Sequence, residues 1–301
     1  MNVTNAIETV KLTKSYGKAR GIIDLNLTVP TGEFFGFIGP NGAGKSTTIR
    51  TLLGFIAPTG GSARVLGMDI CKNREDILRA VGYLPSEAVF HPGMKVRDVL
   101  KLSAGLRGAD CTTRARQLCE RMQLDPTRKV EQLSFGNRKK VGIVCALQHD
   151  PQLLILDEPT SGLDPLMQRE FFRILGELHA AGTTVFLSSH VLSEIQRNCS
   201  RAAIIREGRI IACDRVERLT QASARRVNIH GAVQLEGLTG VRDLHADNQG
   251  TSFLYSGDIN ALIRALAGQQ IRDLTLSEPD LEEIFLHYYE KGATRHDSVQ
   301  A

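Results

Sequence analysis

The sequence predicts an α/β fold followed by a smaller α+β segment, on three observations. Short apolar runs at 33–38, 153–156 and 184–187 are bounded by Gly, Pro or polar residues, as central parallel strands are. The first run leads through a Gly-rich turn into residues 45–55, where Ile49, Leu52 and Leu53 keep helical spacing. After about residue 220 the pattern changes to short alternating segments. Two domains are expected, 1–220 and 221–301.

Taken in order, 33–38 reads as a strand, 39–46 as a turn and 45–55 as a helix. Residues 96–122, rich in Leu, Ala, Arg and Lys and broken around Gly105 and Gly108, read as helices inserted on one side of the core. Residues 141–147 continue that insertion, which spans about 86–150, and the two later apolar runs return to the sheet. In the second domain, 226–230, 251–255 and 271–276 read as strands. Ile259, Leu262, Ile263 and Leu266 mark a helix over 259–267. Leu281, Ile284, Phe285 and Tyr288 mark another, beginning at Ser277 or Glu278, and a loose tail is expected from Lys291. No internal repeat of 20–50 residues is evident.

Composition narrows the function classes. With 42% hydrophobic and 23% charged residues in 301, the chain has enough apolar material for a large core, which excludes disorder as the default. The lack of Trp and the 5% aromatic content argue against stacking platforms for single-stranded nucleic acid. The net charge of +4 is dispersed and selects no partner. The six cysteines form no C-x-x-C pair and no secretory leader is evident, so reduced thiols in a cytosol fit. No apolar run reaches the roughly 18 residues that span a bilayer, so a membrane role requires another chain.

The most specific motif is Gly39, Pro40, Asn41, Gly42, Ala43, Gly44, Lys45, Ser46, which matches the phosphate-binding pattern G-x-x-x-x-G-K-S/T in its strand-to-helix setting. The glycines let backbone N–H groups curl around phosphates, and the helix N-terminus favours their charge. Lys45 then reaches the terminal phosphates and the Ser46 hydroxyl is placed to ligate magnesium. Thr47 belongs to the same nucleotide-binding set. Asp157 and Glu158 follow the 153–156 run, at the carboxyl end of a buried strand where ligands bind in open α/β sheets. Asp157 is assigned to the metal and Glu158 to polarising the water that attacks the γ-phosphate. Ser134 precedes an apolar helical stretch, as a helix cap or as a second anion site.

The order of these segments carries a resemblance. Residues 39–46, 133–137 (Leu133, Ser134, Phe135, Gly136, Asn137), 153–158, 161–164 and His190 follow one another as in an ABC transporter ATPase, which the chain resembles over residues 5–220. The resemblance implies a P-loop, RecA-like core with an antiparallel β edge, a helical subdomain carrying the 133–137 signature, ATP and Mg2+ as cofactors, and a head-to-tail homodimer. In that dimer Ser134 and Gly136 would contact the γ-phosphate held by the opposite Lys45, and Asp164 would link the two sites. Tyr16 would stack on adenine, and His190 would contact the γ-phosphate and help place the water. A separate transmembrane permease would be the partner, with the chain cytoplasmic and peripheral on the inner face of the membrane. The segment 87–94, with Val89, Phe90 and Met94 exposed, would receive that permease.

Two departures from the family pattern stand out. Ser86, followed by Glu87, occupies the position of the usual Gln, and Phe135 and Asn137 replace the first Gly and the Gln of the signature. Retained but slower hydrolysis is the expectation. The segment from Ser277 to Tyr289 is similar to the closing helix of bacterial type-2 exporter ATPases, a class with drug and antibiotic exporters. The alternative is a soluble ABC-type ATPase acting on ribosomes or nucleic acid. The single cassette and the short interval between motifs argue against it, and Arg138, Lys139 and Lys140 read more simply as a solvated helix face than as a nucleic-acid patch. A binding-only reading is opposed by the intact Lys45, Asp157, Glu158 and His190.

Overall fold

Alternation makes the first strands. In β1 (Asn5–Tyr16) and β2 (Ala19–Pro30) the residues Leu12, Ile22, Leu25, Leu27 and Val29 are buried between less buried neighbours, as a sheet with one covered face requires. The strand β3 (Phe34–Ile38) is buried throughout, as a central strand covered on both faces is. In the computed structural model, residues 5–17, 19–221, 225–231, 233–235, 237–247 and 250–277 are described.

The chain continues through α1 (Lys45–Leu52), β4 (Gly60–Val65), β5 (Met68–Asp69), α2 (Arg74–Ala80) and β6 (Val81–Leu84). Next come α3 (Val96–Gly105), α4 (Thr112–Arg121), a 3-10 turn at Val130–Gln132 and α5 (Phe135–Leu147). It then returns through β7 (Leu153–Asp157), α6 (Pro165–Ala180), β8 (Thr184–Ser189), α7 (Leu192–Asn198), β9 (Arg201–Arg206) and β10 (Arg209–Arg215). One sheet has the order β2-β1-β4-β5, with antiparallel pairs. The other has the order β10-β9-β3-β8-β7-β6, with β9, β3, β8, β7 and β6 in parallel.

Between the two sheets lies one apolar cluster. Phe35 and Phe37 from β3 meet Phe186 from β8 at ring-centroid distances of 5.9 and 5.3 Å, and Ile155, Ala203, Ile7, Leu12 and Ile49 close around them. Each fully buried side chain of this kind contributes about 1.5–3 kcal/mol through removal of apolar surface from water. The parallel order places the carboxyl ends of β3, β7 and β8 side by side: Leu156 pairs with Leu187 and Ile38 with Ser189. That edge is where an open α/β sheet binds its ligand.

Contacts divide the chain into Met1–Cys213 and Asp214–Ala301. The second unit contains α8 (Val216–Gln221), β11 (Arg225–His230), β12 (Val241–Ala246), β13 (Thr251–Tyr255), α9 (Ile259–Leu266) and β14 (Asp273–Ser277). Its antiparallel sheet has the order β12-β13-β11-β14, and Val227, Ile229, Phe253, Tyr255, Leu262 and Leu266 form its own core. Ser277 ends β14 rather than opening a helix. The helix and tail expected after it lie outside the described residues, and β12 is a strand the sequence reading did not identify.

Candidate functional site

The Gly-rich turn works as its residue types require. Gly44 caps α1 at φ 110°, a left-handed conformation that costs glycine nothing, and turns the chain from β3 into the helix. The first-turn N–H groups of α1 have no intrahelical acceptors, and with the helix dipole they form a cradle for anionic oxygens. Lys45, 6% exposed, folds back over the loop. Its Nζ donates to the Gly39 carbonyl at 2.6 Å and the Pro40 carbonyl at 3.2 Å.

Asp157 ends β7 and is 1% exposed. The Ser46 hydroxyl donates to its Oδ2 at 2.7 Å, and the Ser188 hydroxyl, from the paired position on β8, donates to Oδ1 at 3.2 Å. Burial pushes the Asp157 carboxyl above its ordinary value, opposed by both hydroxyls and by the Lys45 charge. Glu158 sits one residue on, at φ 49°, anchored by its N–H to the Ser188 carbonyl at 3.0 Å. Such a conformation is strained for a non-glycine residue and turns the carboxylate away from the direction a continued strand would give it. Its Oε2 lies 2.7 Å from His190 Nδ1 and its Oε1 lies 3.1 Å from Lys45 Nζ. That Oε1 is buried and lacks a partner with hydrogen-bond geometry, so its contact with Lys45 is one of charge alone.

These residues fit a magnesium nucleotide. The Ser46 hydroxyl and the Asp157 carboxylate are adjacent hard oxygen donors, the set magnesium takes alongside phosphate oxygens. Glu158 Oε1, which accepts no hydrogen bond and faces the Lys45 charge, can accept a water proton when that charge is drawn to phosphate.

The remaining expected residues are placed as follows. Tyr16 is exposed at the end of β1, with Lys14 Nζ 5.2 Å from its ring centroid. Ser134 caps α5, its hydroxyl accepting from Asn137 N–H at 3.3 Å, and Asp164 caps α6, accepting from Met167 N–H at 3.0 Å. Gly136 packs on the Gly162 backbone so closely that a Cβ there would lie 2.4 Å from the Gly162 carbonyl oxygen. The 133–137 and 161–164 segments therefore touch within one chain.

Two expectations need correction. Lys139 and Lys140 are buried, so the basic run is not a solvated face; α5 packs that side against β6 and the residues after it. Of the three residues in 87–94 expected to be exposed, Val89 is 85% exposed, whereas Phe90 and Met94 are half-buried. The sequence reading also missed Ser188 and Lys139 as site-associated residues. A hydroxyl at the end of an otherwise apolar strand beside an acidic strand end was the available signal for Ser188.

The ABC transporter family model matches residues 22–161. The bacitracin transport ATP-binding protein BcrA of Bacillus licheniformis is 33% identical over 298 residues, covering 94% of this chain and 97% of that protein. The daunorubicin/doxorubicin resistance ATP-binding protein DrrA of Streptomyces peucetius is 33% identical over 303 residues, covering 94% and 92%. A solved ATP-binding subunit of an ABC transporter superposes with a TM-score of 0.68 at 30% identity, covering 72% of this chain and 92% of that one. The chain belongs to the ATP-binding subunits of ABC transporters and is a magnesium-dependent ATPase.

Proposed function

We propose that Glu158 is the general base of this ATPase and that its hydrolysis cycle opens and closes a homodimer that drives export. The observation that carries the reading is the Glu158 carboxylate, held between Lys45 and His190 directly beside the Ser46–Asp157 pair. When ATP binds, its terminal phosphates compete for the Lys45 ammonium and free Glu158 Oε1 to accept a proton from the attacking water. His190, hydrogen-bonded to Oε2, orients that carboxylate and contacts the γ-phosphate side. Ser46 and Asp157 would hold magnesium, which would supply charge neutralisation at the phosphate oxygens. Ser134, Gly136 and Asp164 face the ATP of a second copy, and Tyr16 stacks on adenine.

Among the described residues no helix is long and apolar enough to cross a membrane, so the membrane-spanning path comes from the permease. We place the chain in the cytoplasm, peripheral on the inner membrane face, with Val89 and its half-buried neighbours at the permease contact. The Asp214–Ala301 unit acts as an accessory domain. Purification of the tagged chain from detergent-solubilised membranes with ATP and magnesium tests the assembly. A stoichiometric multi-spanning protein is expected; recovery of ribosomal proteins or nucleic acid in its place would overturn the export reading.

A further inference from the structure

A charged side chain lies buried outside the catalytic cluster. Lys139, on the second turn of α5, is 2% exposed, and its Nζ donates to the carbonyls of Pro85 at 3.1 Å and Ser86 at 2.8 Å. Those carbonyls belong to the chain just after β6. Because β6 pairs in parallel with β7, matching Leu84 to Leu156, the segment leaving β6 begins beside the strand end that carries Asp157 and Glu158. Burial pushes the Lys139 ammonium down to about 8, against the opposing pull of the Asp157 and Glu158 charges. One turn further along α5, Gly142 lets the helix approach the same segment: a Cβ there would lie 2.9 Å from the Leu84 side chain and 3.2 Å from Ala88 Cβ.

Packing alone does not call for this arrangement. An apolar side chain of similar volume would fill the space without the desolvation cost of a buried ammonium, and such replacements are often neutral or stabilising. What the ammonium adds is direction: a fixed tie from α5 to two particular carbonyls, those of Pro85 and Ser86, where the chain leaves β6. At its N-terminus the same helix carries Ser134 and Gly136.

We propose that Lys139 is a positioning residue that ties the helix bearing Ser134 and Gly136 to the segment after β6 and holds the start of that segment in place beside the acidic strand end. The proposal rests on the ATPase reading above for its effect on turnover, but the tie itself is measurable without activity. Two variants of the full chain are compared with wild type: Lys139→Met, which keeps the stem and removes both donated hydrogen bonds, and Lys139→Gln, which keeps an uncharged NH2 donor group on a stem one atom shorter.

Hydrogen exchange of the 85–94 amides and steady-state ATP hydrolysis are the readouts. Lys139→Met is expected to raise exchange in that segment and lower kcat by about tenfold, with KM for ATP within about twofold of wild type. Lys139→Gln is expected to fall between, with kcat lowered by about threefold at unchanged KM and a smaller rise in exchange. Loss of a purely space-filling side chain would instead lower stability and leave kcat per folded molecule and segmental exchange near wild type, which overturns the proposal. If Lys139→Met does not fold, Lys139→Gln decides by the same two readouts, and wild-type values in both overturn the tie. Absence of hydrolysis by wild type would sink the ATPase reading, while the exchange comparison would still decide the role of Lys139.

Discussion

Asp157 and Glu158 are sequence neighbours placed in different surroundings. Asp157 is enclosed by two hydroxyls, whereas Glu158 turns through a left-handed backbone to meet Lys45 and His190. Both carboxylates, with Lys45 and Ser46, were legible because strand, turn and helix surround a specific residue pattern. Ser188 and Lys139 were not, since their contacts depend on strand register and on a helix face chosen by tertiary packing. Replacing Lys45 with Ala removes the one ammonium folded over the loop and is expected to weaken ATP binding by at least about tenfold, measured with a fluorescent nucleotide.

A second residue-scale expectation concerns acid stability. Burial, with the Arg107 charge, holds His149 down at about 4, so it is neutral in the folded chain at pH values where the unfolded chain protonates it. Its contribution is fully present above about pH 6.5 and is lost as pH falls towards 4, by up to about 3 kcal/mol. The thermal midpoint should therefore drop between pH 6.5 and 4.5, and less steeply in His149→Gln. Parallel slopes for the two proteins would remove His149 from the account.

At the scale of elements, helices were readable where apolar residues recur every three or four positions, and the break at Gly105 and Gly108 separates α3 from α4 as expected. The pattern failed where exposure is nearly continuous: β12 has no buried alternation to betray it. It also misled at Lys139 and Lys140, where charged residues occupy an inward face. Two contacts between elements make separate predictions. Arg121 on α4 binds Glu170 at 2.6 Å and both carboxylate oxygens of Glu177 on α6, a network rather than a lone surface pair. Arg121→Ala is expected to cost about 1–2 kcal/mol in chemical denaturation, with ATP binding unchanged. Gly136→Ala drives a methyl into the Gly162 carbonyl and must part the first turn of α5 from the 161–164 loop. It is expected to lower stability by about 1–3 kcal/mol and to reduce turnover, measured by denaturation and steady-state hydrolysis.

Over the whole molecule, the α/β class and the smaller α+β segment were legible because central parallel strands, with their continuous apolar runs, differ so plainly from the short alternating ones that follow. The division between the units falls within β10, a strand with no compositional marker at that point, which places it where the sequence shows no boundary. Every residue of the candidate site lies in Met1–Cys213, while the second unit has its own core. A chain ending at Gln221 is thus expected to bind ATP within about threefold of the full chain, as judged by the same fluorescent nucleotide.

The central claim is that Glu158 takes the proton from water at a site that binds ATP without it. Steady-state ATP hydrolysis by wild type and Glu158→Gln, measured side by side with magnesium and with nucleotide binding as the control, tests it most directly. Wild type should turn over while the variant binds ATP normally and hydrolyses it at least about a hundredfold more slowly. Equal turnover by the two proteins would contradict the assignment.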